Sequence, residues 1–192
     1  MSLKERLVRF RSFWLFPLLA VVLLYVSFRL EPQSRPVALL WLIPLGALMW
    51  SLLEYGLHRF VFHIRFEVRN QKLKEIVNAS HLSHHAAPRD PRKLLVRTSY
   101  GLAVSGLLFA LLYIASGSVY STVGVLAGIW GGFLYYESVH YRVHLTSSAS
   151  GLLAWQRRAH FYHHFTNNER CFGVTSRLWD HVFRTQLPEP QR

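Results

Sequence analysis

The sequence predicts an all-α integral membrane protein: four transmembrane helices carrying a histidine-rich cap on one side of the bilayer. Three observations lead to that fold class. Residues 12–28, 36–53 and 98–136 contain no Asp, Glu, Lys or Arg, and the third stretch is long enough for two spans. A membrane helix needs about 20 mostly apolar residues. Trp and Tyr stand near the ends of these stretches, as they do at bilayer interfaces. All 22 basic residues fall in the segments between and beyond them. A very apolar soluble bundle is the competing fold, and four long apolar stretches with aromatic ends argue against it.

Residues 1–11 form a short basic amphipathic start, and the first span follows near 13–30. No small-x-small cleavage site follows, so this segment reads as a retained anchor rather than a signal peptide. Glu31-Pro-Gln-Ser-Arg-Pro36 is a turn-rich connection into a second span near 37–57. The polar stretch 70–80 has helical propensity, and Pro88 and Pro91 stop that helix. Ala115-Ser-Gly-Ser118 splits the last apolar stretch into a hairpin of spans near 99–115 and 119–140.

The net charge of +12 follows this topology, which is unlike a nucleic-acid-binding face. Lys4, Arg6, Arg9 and Arg11 precede the first span, nine Lys or Arg lie between Arg59 and Arg97, and the hairpin loop has none. By the positive-inside rule the N-terminus, the middle loop and the C-terminal tail share the cytoplasmic side. At 192 residues the chain reads as one domain. Its one cysteine, Cys171, excludes an internal disulfide and thiolate-rich iron–sulfur or zinc-ribbon sites.

Ten of the eleven histidines fall in four clusters: His58 with His63, His81 with His84 and His85, His140 with His144, and His160 with His163 and His164. His181 alone lies outside them and reads as a surface residue. Every cluster is in, or at the edge of, a cytoplasmic segment, and an even number of spans brings all four together. Clustered imidazoles are costly to bury unless something binds them, and imidazole is the commonest metal ligand. Ten are too many for one ion and suit two, which makes the cap a di-metal cap.

Spacing refines the picture. His140 and His144 are i, i+4 and point one way on a helix. His58 and His63 are five apart, and so suit different ions or opposite sides of a helix end. Glu54, Glu137 and Asp180 are the carboxylates expected to orient ligating rings, with Glu54 accepting the far N–H of His58. A zinc-protease motif needs Glu directly after the first His of an i, i+4 pair, and Tyr141 stands there instead.

The ordered set H-x4-H, H-x2-HH, H-x3-H, H-x2-HH resembles the fatty acid hydroxylase superfamily, which also contains sterol desaturases. Segments 54–63 and 172–180 resemble its fatty acid 2-hydroxylase branch most closely, and the resemblance covers about residues 40–187. It implies a single membrane-embedded hydroxylase domain over 1–192, with a cytoplasmic centre of two iron ions that zinc can replace on purification. The ligand role is carried over onto His58, His63, His81, His84, His85, His140, His144, His160, His163 and His164, with no other catalytic residue assigned. The implied reaction uses O2 and two electrons to hydroxylate a lipid acyl chain, at carbon 2 of a fatty acid or sphingolipid acyl group. The implied electron donor is a separate ferredoxin or haem electron carrier with its reductase, and nucleic acid is not a partner. Neither a fused haem electron-carrier domain nor a Lys-Asp-Glu-Leu-type retrieval signal is seen, so a bacterial inner-membrane enzyme is expected. The alternatives are a sterol or carotenoid desaturase or hydroxylase, and a non-catalytic membrane metal-binding or transport protein. Transporters place polar ligands near the bilayer midplane, whereas these charge-free stretches contain no histidine.

Overall fold

The computed structural model describes residues 9–63, 71, 75 and 81–188. The basic start before residue 9 and most of the expected polar helix at 70–80 lie outside the described residues. Every regular element among those described is helical. The long helices are α1 (Arg11–Leu30), α2 (Leu39–Gly56), α4 (Thr98–Ser116), α5 (Val119–Leu145) and α6 (Gly151–Phe165), with short α3 (Ser83–Ala86) and α7 (Leu178–Val182). A 3-10 turn at Pro36–Ala38 leads into α2, and a π-helical segment at Leu57–Phe62 extends it. The chain forms two compact units: residues 1–50 with 96–134, and residues 51–95 with 135–192.

In the first unit, Phe16 of α1 is almost fully buried against Trp130 and Phe133 of α5, with ring centroids 5.3 and 5.5 Å away. Two buried polar side chains here are linked. Trp130 donates to Ser105 Oγ at 2.8 Å, and Ser105 Oγ donates to the Gly101 carbonyl at 2.7 Å. Gly117 takes the left-handed conformation that ends α4, and its N–H bonds the Tyr113 carbonyl at 2.8 Å. Glu31 then caps α5. It accepts the Val119 N–H and the Ser118 hydroxyl, each at 2.6 Å, placing a carboxylate at the positive end of the helix.

Among the described residues, three helical stretches are long and apolar enough to cross a membrane: Arg11–Leu30, Pro36–Phe62 and Thr98–Ser116. Trp41 and Ile114 are among the apolar side chains they expose. The 27-residue α5 is not one of the three. Its first half is buried against other helices, at Val123, Leu126, Ile129 and Trp130, and it carries Gly124, Gly128 and Gly132 at every fourth position. A Cβ on Gly128 would meet the Ile43 carbonyl, and one on Gly46 the Val125 carbonyl. The backbones of α2 and α5 approach closely there, as small-xxx-small stripes allow. A helix packed this way needs small residues more than greasy ones.

The second unit holds every histidine cluster. Tyr55 anchors it, stacked on Phe183 at 5.2 Å and edge-on to Phe172 at 5.8 Å. Helix α7 lies along the last turns of α2, where Trp179 donates to Ser51 Oγ at 2.9 Å. The 146–150 link is tied down as well, because Arg157 donates to the carbonyls of Thr146 and Ser147.

Candidate metal centre

The ten clustered histidines come together in two groups of five. One is His58, His63, His81, His85 and His163; the other is His84, His140, His144, His160 and His164. Within each group the ligand atoms all lie within 4.8 Å of one another. His181 is exposed on α7 and belongs to neither.

Helix geometry explains the sorting. In each H-x2-HH motif the i, i+4 pair shares a face and serves one group: His81 with His85, and His160 with His164. The remaining member, His84 or His163, is turned about 100° from its neighbour and serves the other group. Both motifs therefore tie the two groups together. His85 and His164 meet at the boundary with rings stacked 4.0 Å apart. The i, i+4 pair His140 and His144 goes to one group, as its spacing requires.

His58 and His63 share a group rather than serving different ions, and they stand on either side of a helix end, the other arrangement their spacing suggested. The helix widens at its end. The His63 N–H bonds the His58 carbonyl at 3.2 Å, an i→i+5 bond of the π type. One wide turn thus stacks residues that an α-helix would splay, and His63 sits just past the helix end.

Three backbone carbonyls set the ring tautomers. His58 Nδ1–H donates to Phe172 O at 2.6 Å, His140 Nδ1–H to Leu94 O at 2.9 Å, and His163 Nδ1–H to Arg170 O at 2.7 Å. In each, the Nε2 left over is a bare lone pair. The Nε2 of His58 is buried with no hydrogen-bond partner. Other Nε2 atoms crowd together: His163 and His63 at 2.9 Å, His81 and His85 at 2.9 Å, His140 and His84 at 3.0 Å, His160 and His144 at 2.8 Å. Converging lone pairs repel unless a cation lies between them. With metal–nitrogen bonds of about 2.1 Å, neighbouring ligands at 90° stand about 3.0 Å apart and tetrahedral ones about 3.4 Å. The observed 2.8–3.1 Å is the spacing of neighbouring ligands around an ion. The residues present fit two metal ions.

Burial keeps the imidazoles neutral. It holds His63 and His85 down at about 4. Burial, helped by neighbouring rings, pulls His81, His84, His160 and His164 well below the ordinary range. His163 lies at about 3 for the same first reason. Neutral imidazole is the metal-binding form.

The carboxylates act at one remove. Glu54 does not take the His58 ring N–H, which goes to Phe172 O instead. Its Oε1 accepts the N–H groups of Val174 and Thr175 at 2.6 and 2.8 Å, and its Oε2 the Thr175 hydroxyl at 2.6 Å. Asp180 grips the same loop, accepting from Phe172 N at 3.0 Å, Gly173 N at 2.8 Å and the Thr185 hydroxyl at 2.7 Å. Burial raises the Asp180 pKa, while those hydrogen bonds oppose the rise. Gln156, also buried, donates to Thr175 O at 2.9 Å. Loop 170–175 is thus clamped from three sides, and its carbonyls aim His58 and His163. Glu137 is fully buried one turn before His140. Sequence reasoning missed Gln156 and the three carbonyls, because a main-chain acceptor leaves no residue signature.

Residues 43–185 match the family model described as fatty acid hydroxylase. The fatty acid 2-hydroxylase of Macaca fascicularis is 34% identical over 150 residues, covering 77% of this chain and 40% of that protein. The dihydroceramide fatty acyl 2-hydroxylase FAH2 of Arabidopsis thaliana is 31% identical, covering 75% of this chain and 60% of that one. The ceramide very long chain fatty acid hydroxylase SCS7 of Saccharomyces cerevisiae is 27% identical, covering 92% and 46%. A solved structure of full-length scs7p, with only the hydroxylase domain visible, superposes with a TM-score of 0.83 at 25% identity, covering 97% of this chain and 70% of that one. This chain spans 40% of the macaque protein's length.

Proposed function

Since the chain belongs to the fatty acid hydroxylase family, we propose that it is a membrane oxygenase that hydroxylates a lipid acyl chain at carbon 2, with two iron ions held by its ten clustered histidines. The observation that carries this reading is the pair of five-imidazole groups whose lone pairs converge at ligand–ligand distances. Iron at those two positions would supply O2 activation and the oxidising power to replace a C–H bond by C–OH. The chain's own residues supply the rest. The carbonyls of Phe172, Arg170 and Leu94 fix three rings, and Glu54, Asp180 and Gln156 hold the loop that bears the first two. The relatives' names favour a fatty acyl or ceramide-type substrate over a sterol or carotenoid.

In this reading residues 1–192 act as one hydroxylase domain, and α5 is the fourth span, packed through its glycines rather than facing lipid. The basic segments place both termini and the metal centre on the cytoplasmic side. The relatives named above are eukaryotic, so the bacterial inner membrane rests on the sequence expectation alone. Electrons come from a separate ferredoxin or haem carrier with its reductase. The test is a mass-spectrometric profile of total acyl chains from cells expressing the wild type or His164→Ala, with a donor system supplied. 2-Hydroxy acyl chains should appear with the wild type only. Identical profiles would remove the acyl hydroxylase reading.

A further inference from the structure

A cavity of about 380 Å³ opens on the second unit, between α6, α7 and the segments that flank α7. Its wall includes three arginines, Arg158, Arg170 and Arg177, together with Trp155. Arg177 lies over the Trp155 ring at 5.1 Å, and Arg170 donates to the Gln186 carbonyl at 3.2 Å. None of the three has an ion-pair partner among the described residues. Asp180 is in the same wall, but its two oxygens are taken by Phe172 N, Gly173 N and the Thr185 hydroxyl. Three fork-shaped donors without an ion-pair partner among the described residues, around one concavity, match the oxygens of a phosphoryl group.

A second observation says where that group comes from. Helix α7, which contributes to the cavity wall next to Arg177, exposes Leu178 and Val182 on one face, with Phe183 following. Its Trp179 is hydrogen-bonded to Ser51, within the apolar stretch Pro36–Phe62. Arginine beside outward apolar side chains, on a short helix lying along a membrane-crossing element, is the pattern of a segment resting in the headgroup region.

We propose that this cavity binds the phosphoryl headgroup of a membrane lipid, with Leu178 and Val182 set into the bilayer beside it and Arg158 and Arg177 gripping the phosphate. The site is distinct from the metal centre. It rests on the chain being membrane-embedded and does not depend on the hydroxylation reading. Arg170 links the two sites, since it lines the cavity and its carbonyl holds His163.

The test uses full-length protein in detergent, titrated with dioctanoyl phosphatidic acid, dioctanoylglycerol or inorganic phosphate and followed by Trp fluorescence and native mass spectrometry. Phosphatidic acid should bind saturably, with both the phosphate-free lipid and free phosphate at least tenfold weaker. Arg158→Gln/Arg177→Gln should weaken phosphatidic acid at least tenfold while keeping wild-type metal content and melting temperature. Leu178→Ser/Val182→Ser should weaken the lipid and leave inorganic phosphate unchanged. Equal binding of the phosphate-free lipid, or unchanged binding by the arginine variant, would overturn the proposal. Free phosphate binding as tightly as the lipid would make this a soluble-anion site and overturn the lipid assignment. An arginine variant that lost only donor-supported turnover would mark an acidic protein's docking face instead, and would equally overturn it.

Discussion

Glu54 stands one helical turn before His58, yet its oxygens close on Val174 and Thr175, some 120 positions along the chain. It is a positioning residue: it holds the loop, and the loop's carbonyl holds the ring. Removing such outer partners costs about 10–100-fold in metal affinity. Glu54→Ala should lose affinity in that range by chelator competition, and Glu54→Gln, which keeps one acceptor oxygen, less. At the ligands, His164→Ala should abolish turnover whereas His181→Ala, on the exposed face of α7, should leave most of it; equal losses would erase the distinction between them. The buried rings also predict a pH dependence for metal-stripped protein. His63 and His85 are held at about 4, below their unfolded value, so between about 6.5 and 4 the unfolded chain binds more protons than the folded one. Stability is then full above pH 6.5 and falls as the pH drops toward 4. Melting of the chelator-treated protein at pH 7.5 and 5 should show the lower midpoint at pH 5. Which residues come together was legible from histidine spacing; what orients them was not, because carbonyls of Phe172, Arg170 and Leu94 are supplied by folding rather than by residue type.

At the level of elements, the charge-free stretches placed the long helices to within a few residues: 13–30 against Arg11–Leu30, 99–115 against Thr98–Ser116. The π turn at Leu57–Phe62 was not legible. Five-residue spacing is out of phase on an α-helix, and only an i→i+5 bond brings His58 and His63 to one side. The assignment of alternate members of each H-x2-HH motif to different groups does follow from 3.6-residue periodicity once two groups are assumed. The glycine stripe of α5 was in plain view at 124, 128 and 132, and its meaning came with α2 packed against it. Gly128→Leu should drive a side chain into the Ile43 carbonyl and destabilise the helix pair by about 1–3 kcal/mol or more. Thermal unfolding in detergent would register this as a lower midpoint, and an unchanged midpoint would contradict the close approach of the two backbones.

For the whole molecule, ten imidazoles gathered into two groups of five fit the proposed centre, with one cation in each group. The H-x2-HH motifs at 81–85 and 160–164 each reach both groups, so the two groups are built together. The hydroxylase reading stands on that double centre. Its most direct test is the metal content of purified full-length protein, by elemental mass spectrometry against quantitative amino-acid analysis. The account predicts two equivalents of transition metal per chain, falling to one in His81→Ala/His163→Ala, which strips two ligands from a single group. One equivalent or fewer in the wild type would contradict it.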